Sequence, residues 1–137
     1  MDSENFASGP IERILARLPG LQLVAVYPVP DARTGDQVMA TLSMVEGADF
    51  SPEHFAAFLN AQPDLGTKWA PKYVRLVREI PVTATRKIDK MALRRAGWLV
   101  EDPVYVRSGG TYAPLTDEAR EQLLAEFARY DRLPSAP

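Results

Sequence analysis

The run Leu23-Val24-Ala25-Val26-Tyr27 constrains the fold more than any other segment of the chain. Near-continuous apolarity of strand length, rich in Val and Leu, leaves no polar side to turn toward water, so such a strand is covered on both faces. We expect Leu21–Tyr27 to be a central strand of a sheet. The run is far short of the roughly 20 apolar residues that a bilayer-spanning helix needs, so no transmembrane segment is expected. Met1-Asp2-Ser3-Glu4-Asn5 is acidic and leads into no apolar stretch, hence no export signal and an expected cytoplasmic location.

Around this strand the pattern alternates. Ile11, Ile14, Leu15 and Leu18 fall at helical spacing from Pro10 to about Leu18, with Ser8 or Gly9 as the cap and Pro19-Gly20 as the stop. Residues 28–36 hold two prolines and a glycine and read as a turn-rich connector; Gln37–Val45 reads as a second strand. Ser51-Pro52-Glu53 opens a second helix that buries Phe55, Phe58 and Leu59. Tyr73–Val77 is a short strand, 81–88 a polar loop, and Asp89–Ala96 a small helix. Ser108-Gly109-Gly110 between two short β-prone runs marks a hairpin. Thr116 then caps a last helix carrying Ala119, Leu123, Leu124, Phe127 and Tyr130, and residues 133–137 should fray.

These elements predict an α+β fold: a small mixed sheet of about three strands flanked by helices, plus a C-terminal hairpin and helix. At 137 residues the chain makes one domain, which we divide into a core over 1–96 and an extension over 97–137.

Composition removes much chemistry. No cysteine is present, so disulfides, thiol nucleophiles and iron–sulfur clusters are out, and the single histidine, His54, rules out a multi-histidine metal site. No metal ligands are assigned. A net charge of −2 supplies no global attraction for nucleic acid. Locally, however, Arg86, Lys87, Lys90, Arg94 and Arg95 face a single acid, Asp89, just after the hydroxyls of Thr83 and Thr85. Charged donors, hydroxyls and loop amides together suit a phosphate. Most such runs are simply solvated surface, and composition leaves both readings open. A nucleic-acid module is disfavoured, because no aromatic residues interleave with the basic ones.

The order Val29-Pro30-Asp31, Gly35-Asp36 and Pro81-Val82-Thr83-Ala84-Thr85-Arg86-Lys87 resembles the C-terminal domain of the adenylate-forming acyl-CoA synthetases. Ser3-Glu4-Asn5 is similar to the Gly-Glu-Asn after that family's hinge, and Ile11–Leu15 to its next helix. Asp102-Pro103-Val104-Tyr105 and Tyr112-Ala113-Pro114-Leu115-Thr116 resemble the ending of the fatty-acid-transport-protein branch, which activates long and very long chain fatty acids.

The resemblance implies a mobile lid domain whose partner is an N-terminal adenylation domain of the same enzyme. It implies that Lys87 matches the adenylation lysine, with Thr83, Thr85 and Arg86 as weaker contacts to nucleotide phosphate. The implied substrates are a fatty acid, ATP and CoA, with Mg2+ used by the parent enzyme and no cofactor held tightly by this domain. Any membrane association would come through that parent. No Gly/Ser/Thr-rich ATP loop occurs in the chain, so alone it should be inert. Arg86 stands where many members have glycine, and Ser3 where glycine precedes Glu-Asn. A non-catalytic interaction domain of the same ancestry is the alternative. His54 reads as a surface or packing residue, Trp69 and Trp98 as packing under loops, Lys68 and Lys72 as solvated, and Tyr105 and Tyr112 as anchors of the hairpin.

Overall fold

The computed structural model describes residues 7–33, 35–66 and 69–134. Ser3-Glu4-Asn5, Lys68 and the last three residues of the expected fraying tail therefore lie outside the described residues. The elements are α1 (Ser8–Leu15), β1 (Leu21–Pro30), β2 (Asp36–Met44), α2 (Pro52–Asn60), β3 (Tyr73–Leu76), α3 (Lys90–Ala96), β4 (Val104–Ser108), β5 (Thr111–Pro114) and α4 (Asp117–Arg129). The five strands form one mixed sheet in the order β1-β2-β3-β4-β5. β2 and β3 are parallel, joined through α2, and the other neighbours are antiparallel.

The α+β reading holds. Among the described residues five strands share one sheet rather than about three, because the two strands of the C-terminal hairpin join the three expected ones alongside β3. Tyr73, Val74 and Arg75 of β3 pair with Val106, Tyr105 and Val104 of β4, so the hairpin is built into the sheet. Its Gly109-Gly110 turn has φ of 59° and 87°, the left-handed region that glycine enters without steric cost.

Side chains alternate along the strands and feed two cores. On one face Ala25, Tyr27, Val29, Met39, Tyr73 and Val104 pack with Leu93 of α3, Trp98, Leu115 and Phe127 of α4. On the other, Val26, Val38, Ala40, Leu42, Val74 and Tyr112 pack with Ile11 and Leu15 of α1 and Phe55, Ala56 and Leu59 of α2. The buried Tyr27 hydroxyl pairs with Thr41, and the Tyr112 hydroxyl donates to the Pro71 carbonyl, which anchors the hairpin as expected.

Two-sided burial holds for Ala25, Val26 and Tyr27 but not for the start of the run, where Leu23 is 44% exposed and Val24 half-buried, and the central placement does not hold either: β1 is an edge strand. Helical layers above and below supply the burial, and that is independent of how many strands lie alongside in the plane. The strand also runs on through Pro28-Val29-Pro30, expected to be connector. Val26, Pro28 and Pro30 share one parity and turn the same way in the plane of the sheet. The Val26 N–H bonds the Glu12 carboxylate at 2.8 Å rather than a strand, and the prolines have no N–H to leave unpaired. An edge tolerates such residues; a central strand does not.

Smaller corrections follow the same logic. α1 begins at Ser8, so Ser8 and Gly9 lie inside it and Ala7 occupies the cap position without a side-chain bond; the helix ends at Leu15, three residues before Leu18. α2, α3 and α4 start on caps that work: Ser51 accepts from His54 N, Asp89 from Ala92 N and Thr116 from Ala119 N. Phe58 is only half-buried, and Leu124 of the last helix and Tyr130, which follows its end, are exposed. Trp98 is a core residue, 1% exposed, between Tyr73 and Phe127. Among the described residues no helix is long and apolar enough to cross a membrane.

Candidate functional site

The segment between β3 and α3 is a tight, exposed turn with a closed base. Val82 and Ile88 form an antiparallel bridge, and Asp89 N donates to the Pro81 carbonyl at 2.9 Å. Inside that base Thr83 N donates to Lys87 O at 2.7 Å, and Arg86 N donates to Thr83 O at 2.9 Å. The Thr83 hydroxyl accepts from Lys87 N at 3.3 Å and pairs with the Thr85 hydroxyl at 3.1 Å. Arg86 takes φ 64°, which places a bulky residue in a backbone region that suits glycine. The position where the resembled family carries glycine is thus a left-handed corner of this turn, and here arginine accepts the strain.

The structure brings together all four expected site residues. Thr83, Thr85, Arg86 and Lys87 lie within five positions of one turn, and all four are exposed. Neither Arg86 nor Lys87 has an acidic partner within ion-pair distance among the described residues. Loop amides contribute less than expected, because the N–H groups of Thr83, Arg86 and Lys87 are used within the turn or its base.

The wider basic patch divides by position. Lys90 is committed to the protein: its ammonium lies 2.8 Å from Glu12 Oε2 and donates to Ser8 Oγ at 3.2 Å. Arg94 is half-buried on α3, while Arg95 is exposed. Glu12 went unnoticed as a site-supporting residue. A charged side chain beside the apolar stripe Ile11, Ile14, Leu15 was the available signal, but its partners Val26 and Lys90 lie on other elements.

Two other features carry less chemistry. An open groove of about 470 Å³ on the α2 side is lined by Leu18, Pro19, Met44, Phe50, Phe55 and Phe58, with His54 exposed at its edge and no lysine or arginine. Among the described residues no group of three or more acidic or histidine side chains gathers to hold a metal ion.

With this geometry in view, the comparisons agree. Residues 10–87 match the family described as the AMP-binding enzyme C-terminal domain, and the match ends on Lys87. The chain is 42% identical over 135 residues to the steroid-22-oyl-CoA synthetase of Rhodococcus jostii, covering 96% of this chain and 24% of that protein. It is 49% identical over 105 residues to the medium/long-chain-fatty-acid–CoA ligase FadD17 of Mycobacterium tuberculosis, covering 77% of this chain and 21% of the relative. The chain thus spans about a quarter or less of the curated relatives it matches. Among solved structures, the Mycobacterium tuberculosis fatty acyl CoA synthetase superposes with a TM-score of 0.57 at 27% identity, over 66% of this chain and 17% of that one. Fold, turn and family model converge, and the chain belongs to the AMP-binding enzyme C-terminal domain family.

Proposed function

We propose that the chain is the mobile C-terminal domain of an ATP-dependent fatty-acid–CoA ligase and that Lys87 supports its adenylation step. The supporting observation is an exposed lysine, without an acidic partner among the described residues, on a closed turn at the end of the family match. In the proposed reaction a fatty-acid carboxylate oxygen attacks the α-phosphorus of ATP and pyrophosphate leaves, giving acyl-AMP. The CoA thiol sulfur then attacks the acyl carbon, loses its proton and expels AMP, giving acyl-CoA.

Carboxylate and triphosphate repel, and negative charge gathers on the α-phosphate oxygens in the transition state. An ammonium set against both reactants offsets the repulsion and aligns the attack. Lysine fits a domain that approaches and withdraws, because it carries a compact charge on a flexible stem. Thr85 and Arg86 are the accompanying contacts to nucleotide phosphate; Thr83, also expected as one, has its hydroxyl engaged inside the turn and is left out of that role.

The rest of the machinery belongs to the proposed N-terminal adenylation domain: the ATP loop, the acyl pocket and the Mg2+ that accompanies ATP. The isolated chain should make no acyl-CoA. The steroid-22-oyl relative, which aligns over almost the whole chain, favours a second reading of the acid, in which a steroid-22-oyl carboxylate replaces the fatty acid.

The test compares wild type and Lys87→Ala in the enzyme that carries this chain, using acid-dependent ATP–pyrophosphate exchange and CoA capture of presynthesised acyl-adenylate. Collapse of exchange with capture retained supports the reading. Unchanged exchange favours a non-catalytic interaction domain, and running both acids as substrates separates the two acid readings.

A further inference from the structure

We infer that Thr83 is the residue that positions Lys87, acting on its backbone rather than on the nucleotide. This rests on the reading of Lys87 as the adenylation lysine. Both main-chain polar groups of Lys87 end on Thr83: the carbonyl accepts from Thr83 N at 2.7 Å, and the amide donates to Thr83 Oγ1 at 3.3 Å. The Thr83 carbonyl takes the Arg86 amide at 2.9 Å, and the Thr83 hydroxyl meets that of Thr85 at 3.1 Å. One residue thereby ties down three of the next four.

The need for such a tie is visible in the neighbour. Arg86 sits at φ 64°, and an arginine there gains by relaxing toward negative φ. That relaxation would swing the Cα–Cβ direction of the following residue, which is Lys87. The Thr83 oxygen opposes it by holding the Lys87 amide, and the bridge between Val82 and Ile88 anchors Thr83 from behind. A threonine suits the place because its hydroxyl accepts from an amide while sharing a bond with a second hydroxyl.

Removing the hydroxyl while keeping the shape leaves the lysine present and charged but loosely aimed. Misplacement of a reacting group by about 1 Å costs roughly 100-fold in rate, because the alignment must then be found by chance. Nucleotide affinity should barely change, since the hydroxyl is spent inside the turn. A loss in kcat at unchanged KM marks an interaction expressed in the transition state and not in nucleotide binding.

The experiment compares Thr83→Val, Thr83→Ser and Lys87→Ala with wild type in the enzyme that carries this chain. Expected for Thr83→Val is a fall in kcat for acid-dependent ATP–pyrophosphate exchange of about 10- to 100-fold. KM for ATP should stay within about twofold, and CoA capture of presynthesised acyl-adenylate should be unaffected. Thr83→Ser, which keeps the oxygen, should return most of the rate. On the 137-residue chain, amide hydrogen exchange at Lys87 should speed up in Thr83→Val while the melting temperature holds, which separates a loosened turn from an unfolded domain. Wild-type exchange in Thr83→Val, a raised KM for ATP at unchanged kcat, or failure of serine to rescue would overturn the positioning role. If Lys87→Ala retains full exchange, the reading of Lys87 itself fails and the inference goes with it; a dead Lys87→Ala beside a fully active Thr83→Val removes only the inference.

Discussion

Lys90 Nζ lies 2.8 Å from Glu12 Oε2, and the same carboxylate oxygen accepts the Val26 N–H at 2.8 Å. Through this one oxygen the helix that opens the domain, the outer side of β1 and the first residue of α3 meet, three positions beyond Lys87. The turn that carries Lys87 is thereby tied to the start of the domain by side chains as well as by the sheet.

Glu12→Ala strands two donors, the half-buried Lys90 ammonium and the Val26 amide. It should destabilise the chain by about 1–3 kcal/mol. Lys90→Met leaves the Val26 bond in place and should cost less. Urea unfolding of the two single variants and the double variant gives the coupling, and near-additivity would show that the pair is only a surface contact.

Arg86→Gly should stabilise the isolated chain. Relief of the left-handed strain is worth about 1–2 kcal/mol, offset by about 0.4–1 kcal/mol for the extra freedom of glycine in the unfolded chain. Thermal melts should therefore show a small rise in melting temperature. A fall would mean that the arginine side chain does more for the fold than its exposure indicates.

Three buried tyrosines set the alkaline limit. Burial pushes Tyr27 and Tyr73 up to about 12, with the Thr41 hydrogen bond opposing in Tyr27 and the charges of Asp31 and Glu126 adding in Tyr73; burial raises Tyr112 as well. In the unfolded chain each phenol loses its proton near the usual value of about 10, while the folded chain still holds it. Above that pH the unfolded state binds fewer protons, so stability must fall as pH rises. The contribution is complete below pH about 10 and is lost progressively toward about 12, at up to about 1.4 kcal/mol per pH unit for each tyrosine. Urea midpoints from pH 8 upward should hold and then drop, and Tyr112→Phe should make the drop shallower.

Trp98 joins β3 to α4, with its ring 6.1 Å from that of Tyr73 and 6.0 Å from that of Phe127. Trp98→Ala empties this junction and should cost about 3–5 kcal/mol. Because the hairpin and α4 share one core with β1 and β2, a single cooperative transition is expected. Separate melting of residues 97–137 would instead support the division at residue 96.

What the sequence disclosed follows the range of each interaction. Helical spacing, proline starts and the Gly109-Gly110 turn are local, and they located the elements to within a few residues. The place of β1 in the sheet was hidden, because apolarity reports what lies above and below a strand and nothing of what lies beside it. Pro28 and Pro30 were the available clue, and reading them as a connector lost it. Lys87 emerged from the order of short motifs, whereas the Thr83 turn needs backbone geometry and the contacts of Glu12 with Val26 and Lys90 join distant elements.

The guarded rim of β1 bears on how copies of the chain meet one another. A bare strand edge recruits other strands and seeds aggregation. Here the Glu12 carboxylate occupies the Val26 amide and the two prolines offer no donors, so no run of free amides remains along the second half of the strand. At the opposite rim β5 is only four residues long and ends in proline. Both margins of the sheet are poor templates for a further strand, so two copies of the chain have little to pair through at either side.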